Sequence, residues 1–238
     1  MKTKAPLLPL CLLFLFMACN SPKEQQPGSI ANFYFSQDSI NCTLQAEVPE
    51  PALSQAVGEW MNEQLGGSYT GDVSDMQAIV DFYGKALCDT LRQDQPYSLT
   101  GEMEFDAVME KTYETPQYVT YSLSTYLDLG GAHPASSDRG ATFLKSDGKK
   151  LSWDIIRPDA KQSFNDILVE MLSDYCDWDE NTDVALPVTP PYFVDNGVVV
   201  IYQQYEIGPY AIGMPTDTIP YDRISPLMEE WAQKLIGE

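Results

Sequence analysis

The sequence holds one histidine, His133, and few basic side chains: 14 Lys and Arg stand against 35 Asp and Glu, a formal charge of −21. A single histidine leaves a catalytic zinc site short of its usual ligands, which number three and include several His or Cys. A serine nucleophile would need His133 as its base, and no Gly-x-Ser-x-Gly elbow occurs. Carboxylate pairs are too plentiful in so acidic a chain to mark glycosidase chemistry. The same acidity repels nucleic acid and anionic headgroups, so nucleic-acid binding is excluded, and it attracts cationic partners with a salt-sensitive field. Past residue 17 there is no second long apolar run and no internal repeat. These gaps point away from an enzyme, a metal or an organic cofactor.

What the chain does have begins at its N-terminus. Lys2 and Lys4 precede an apolar stretch of about 11 residues from Leu7 to Met17, then Ala18-Cys19 and the polar Asn20, Ser21 and Pro22. The stretch is short of the roughly 20 residues that span a bilayer. The order of basic start, apolar centre and small residue before Cys resembles a bacterial lipobox, with Phe16 where that pattern prefers Leu. It implies a signal peptide over 1–18, a lipid on Cys19 and a flexible tether over 19–31. The address is the cell envelope, with the exported chain on the outer membrane if the host is Gram-negative. Cleavage removes two of the 14 basic residues and no acid, leaving a formal charge near −23. Beyond the lipidated Cys19 three cysteines remain, Cys42, Cys88 and Cys176, and an odd count leaves at least one unpaired. Cys42 alternates with Ile40, Leu44, Ala46 and Val48 as on the buried side of a strand, which favours packed thiols over a bridge.

Hydrophobic periodicity predicts a strand region over 32–48, then a helix from Pro51 carrying Leu53, Val57, Trp60, Met61 and Leu65, stopped by Gly66 and Gly67. Ser74-Asp75-Met76-Gln77 has capping-box spacing before a second helix. Met103, Phe105, Ala107 and Met109 alternate with acids in one strand, and Val119, Tyr121, Leu123 and Leu127 with polar residues in the next. A loop over 130–140 leads to a hairpin turning at Ser146-Asp147-Gly148. A helix through Phe164 and Tyr175, strands near Tyr192 and Val198, and a closing helix with Ile224, Leu227, Met228, Trp231 and Leu235 on one face complete the pattern. Strands and helices come in blocks, so the expected fold is α+β, a mainly antiparallel sheet with packed helices. Two sub-modules are expected, 32–115 and 116–238.

Leu129-Gly130-Gly131-Ala132-His133-Pro134, Phe143 to Leu151, Phe193-Val194-Asp195-Asn196-Gly197-Val198, Tyr205-Glu206-Ile207-Gly208-Pro209-Tyr210-Ala211 and Ile219-Pro220-Tyr221 resemble a domain catalogued as of unknown function. That domain is shared by the lysozyme-sensing anti-sigma factor of Gram-positive bacteria and the non-catalytic part of a peptidoglycan deacetylase. The resemblance covers about 118–236, and more loosely the half before it. It implies a non-enzymatic binding or sensing module, with lysozyme-like proteins or peptidoglycan as partners. A structural partner of another envelope protein and a hydrolase with an unrecognised site stay open beside it.

Two surfaces are candidates. His133, Tyr205, Glu206 and Tyr210 would form a polar pocket if the two motifs meet at one rim; otherwise Gly130, Gly131 and Pro209 shape turns and Glu206 caps backbone amides. Glu102, Glu104, Asp106 and Glu110 would form an acidic docking face for a basic protein. Asp177 to Asp183 places oxygens as an EF-hand loop does, but Thr182 stands where Gly is needed and Val188 where a bidentate Glu is needed, so a solvated loop is expected.

Overall fold

The computed structural model describes residues 25–173, 175 and 184–237. The signal segment, Cys19, Cys176 and the Asp177 to Asp183 loop lie outside the described residues. The expected tether ends early: Gly28 N–H donates to Val48 O at 2.8 Å, and the Gln25 amide donates to Asp75 at 3.0 Å, which ties this stretch to the domain.

The expected strand over 32–48 is two strands, β1 (Ile30–Gln37) and β2 (Ile40–Glu47), paired antiparallel. Asp38 and Ser39 join them with φ of 54° and 62°, the left-handed pair that a two-residue hairpin turn demands. Helices α1 (Ser54–Gln64) and α2 (Met76–Asp94) follow. The N-cap of α2 is Asp75, whose carboxylate accepts from Ala78 N–H at 3.1 Å, and not the expected Ser74. Strand β3 (Met103–Glu114) then returns beside β2 in parallel, so α1 and α2 form a crossover. That makes the sheet mixed, a topology hidden because two consecutive helices broke the simple strand-helix-strand rhythm.

β4 (Tyr118–Asp128) and β5 (Ala135–Leu144) complete a five-stranded sheet in chain order. β5 occupies most of the expected 130–140 loop, because its polar residues 136–139 lie along the sheet margin. The expected return strand shrinks to one bridge, Phe143 with Lys150. The inner face of the sheet packs on α1 and α2 around Leu44, Ala107, Leu123, Val57 and Ile79.

A second core gathers α3 (Lys161–Leu172) and a small antiparallel sheet of β6 (Tyr192–Phe193), β7 (Gly197–Ile201) and β8 (Thr216–Pro220). The closing helix is broken into α4 (Tyr221–Ile224), a single 3-10 turn and α5 (Glu230–Gln233). Pro226 removes a backbone donor there, and Met228 turns extended to bridge Ile156. The expected division at 115/116 falls in the turn between β3 and β4, which are paired strands. The first core takes side chains from β1 through β5, and Tyr118 of β4 belongs to the second.

The two cores meet on the outer face of β4 and β5. Tyr192 lies against Gly140, where any Cβ would come within 2.4 Å of its ring. Thr120 hydroxyl donates to Phe193 O at 2.8 Å, and Thr142 Oγ1 accepts Phe193 N–H at 2.8 Å. Since Thr120 has one proton, Thr142 must be the donor in the 2.8 Å hydroxyl pair between them. Both threonines are buried. Thr142→Val keeps the shape but strands the Phe193 N–H, so urea unfolding should show a loss of about 1–3 kcal/mol; Thr142→Ser should retain most of the stability.

Candidate functional site

The chain reaches the sheet rim through Gly130, whose φ of 63° is left-handed and whose N–H donates to the Asp128 carboxylate at 2.8 Å. A Cβ there would fall 1.8 Å from Ser98 Oγ, whereas Gly131 faces open space, so only the first of the pair is required. His133 follows, exposed. Its Nδ1 lies 3.1 Å from Pro134 O, which can only accept, so Nδ1 carries a proton, and its Nε2 lies 3.1 Å from the Tyr205 hydroxyl. The ring stacks on Tyr210 with centroids 3.9 Å apart. Tyr205 takes a φ of 66°, uncommon for a residue with a Cβ, and holds its ring 57% exposed.

Three of the four expected pocket residues therefore meet, as an aromatic platform. Glu206 does not join them. Its carboxylate accepts Val188 N–H at 2.6 Å and Gln203 N–H at 2.7 Å, holding two loops together. The left-handed turn at Tyr205 sends neighbouring side chains in different directions, which the sequence pattern does not encode.

Glu104, Asp106 and Glu110 stand on the outer face of β3, with Glu102 just before the strand. Register adds what spacing alone could not: Asp128 of β4 lies directly opposite Glu104, and Tyr126 opposite Asp106. Like charges facing across a strand pair are destabilising. None of the ion pairs among the described residues engages Glu104, Asp106, Glu110 or Asp128. Desolvation and then the Asp128 and Glu104 carboxylates raise the Tyr126 phenol above its ordinary range, with Tyr210 contributing as well. The aromatic platform thus adjoins the acidic face. On β1, Tyr34 adds a ring 72% exposed, level with Thr43 on the same outer face.

Cys42 and Cys88 are buried free thiols, and burial pushes both above the ordinary thiol range. Among the described residues no group of three His, Cys, Asp or Glu is placed to hold a metal ion, and no helix is long and apolar enough to cross a membrane.

Residues 149–222 match a family described as "Protein of unknown function (DUF3298)". No curated protein matches the chain. A crystal structure of a DUF3298 family member from Bacteroides fragilis NCTC 9343 is similar, with a TM-score of 0.66 and 17% identity over 88% of this chain and 96% of that one. A DUF3298 family protein from Pseudomonas aeruginosa PAO1 gives a TM-score of 0.59 and 16% identity over 87% of this chain and 97% of that one. At these identities the likeness establishes the fold.

Glu206 and His133 differ in what they support. Glu206→Ala leaves two backbone donors without their carboxylate and should lower unfolding stability by about 1–3 kcal/mol, while His133→Ala, at an exposed position, should leave the thermal midpoint nearly unchanged.

Proposed function

We propose that this chain is an exported, lipid-anchored binding or sensing module of the bacterial cell envelope, and that it engages a cationic protein of the lysozyme class without turning it over. The observation that carries the reading is the open outer face of the five-stranded sheet. Its carboxylates at Glu104, Asp106, Glu110 and Asp128 lack cationic partners among the described residues, and the exposed Tyr34 and Tyr205 and the half-buried Tyr210 border them. Uncompensated charge of one sign steers a partner of the other sign, and rigid aromatic rings supply contact area at low entropic cost. The motif resemblance supplies the partner class. The anchor rests on the lipobox-like order ending in Cys19.

The chain from Ser21 onward, which contains both cores, is titrated with lysozyme at low and physiological salt beside an unrelated protein of equal basicity. Binding to lysozyme that persists at physiological salt is expected, with association slowed about tenfold or more by joint Glu104→Lys and Asp106→Lys substitution. Binding shared with the control, or lost at physiological salt, would overturn the reading. For the anchor, the full-length chain should partition with membranes, and Cys19→Ala should release it to the soluble fraction.

A further inference from the structure

In a chain so poor in cations, arginines are expected to be claimed by carboxylates. Arg92 pairs with Asp89, Arg157 with Asp159 and Arg223 with Glu170. Arg139 is the exception: among the described residues no carboxylate lies within ion-pair distance. Among the described residues its hydrogen bond runs from Nη1 to Ser137 Oγ at 2.6 Å. Burial depresses its basicity, offset in part by the field of Glu206, whose carboxylate is already held by two backbone donors.

The arginine lines a cleft of about 380 Å³ where the two cores adjoin. The cleft is bounded by the end of α1, by β5 and by residues 188–190, and its size falls in the range of small-ligand sites. Along the free edge of β5, Ser136 N–H donates to the Gln204 side chain at 2.9 Å and Asp138 N–H to the Gln203 side chain at 3.2 Å. Strand periodicity brings the Gly140 N–H to the same edge, inside the cleft and beyond those two amides. Lys150 also lines the cleft, but Glu63 pairs with it at 3.2 Å, so the uncancelled charge belongs to Arg139. Trp60, Leu151 and Pro190 give the cleft its apolar walls.

We propose that this cleft binds a small ligand through a carboxylate, held by the planar fork of Arg139 with the Gly140 N–H beside it, while the apolar walls take the ligand's body. One planar cation matches one planar anion in two parallel hydrogen bonds. The Glu63 carboxylate on the rim disfavours a dianion such as phosphate. In the envelope, such a carboxylate is supplied by a peptide end or by an acidic sugar. The inference rests on the envelope address proposed above and not on the lysozyme partner, since Arg139 and the acidic face lie on opposite sides of the sheet.

Calorimetry of the chain from Ser21 onward tests it in two arms: N-acetyl-D-alanyl-D-alanine against its C-terminal amide, and N-acetylmuramic acid against N-acetylglucosamine, with inorganic phosphate as a third titrant. At least one acid should bind about tenfold or more tighter than its neutral counterpart and than phosphate, and the arm that responds identifies the source. Arg139→Gln should abolish that binding with an unchanged thermal midpoint, Arg139→Lys should weaken it severalfold, and both should leave lysozyme binding intact. The proposal fails if neither acid binds, if phosphate binds as well as the acids, or if Arg139→Gln binds them as wild type does. Loss of lysozyme binding in the acidic-face variants would leave the carboxylate result untouched, so the two readings stand or fall separately.

Discussion

The arrangement of the whole domain depends on a pair of hydroxyls. Thr120 and Thr142 sit opposite each other on β4 and β5, and between them they satisfy both backbone groups of Phe193. A two-residue strand such as β6 has little pairing of its own, so its position is set by these side-chain bonds and by its ladder to β7. Buried donors and acceptors must be satisfied, which fixes where the second sheet can lie. Tyr118 then packs edge to face on Phe193, its centroid 5.3 Å away, and Tyr221 donates to Val194 O at 2.5 Å. One end of the large sheet's outer face is covered in this way, and the remainder is left open.

That division sorts the charges. On the open part, acids crowd beside one another without compensation, at a cost to stability that a purely structural surface would avoid by mixing signs. Elsewhere acids and cations do pair: Lys111 and Lys145 converge on Glu114, holding its carboxyl below the usual range. The contrast within one molecule is informative. The acids of the outer face are left out of these pairs, and among the described arginines so is Arg139.

Period-two alternation made β3 and β4 legible, because each has one face sealed by α1 and α2 and so shows the contrast that the pattern relies on. Amphipathic spacing and the glycine stop likewise located α1. β5 escaped because Ser136 to Arg139 are polar on both faces, one side meeting the outer surface and the other the cleft. Pro226 signalled the break in the closing helix, but the apolar spacing around it argued the other way. The aromatic platform was legible in its members and not in its geometry: only the left-handed Tyr205 separates Glu206 from its neighbours. Asp128 could be found only through strand register, and Arg139 only by asking which carboxylates were already engaged.

β5 serves both surfaces through the same alternation. Asp138 points with the outer face and Arg139 with the inner, and the Gln203 side-chain amide bonds both backbone groups of Asp138 between them. The segment carrying Gln203 also displays Tyr205 and Tyr210 at the rim, while its Glu206 holds Val188 at the mouth of the cleft. One short loop therefore supports the aromatic platform on one side and the cleft wall on the other. A displacement of residues 188–190 bears on the carboxylate that also fixes Gln203, so the two surfaces share a mechanical support although no side chain belongs to both.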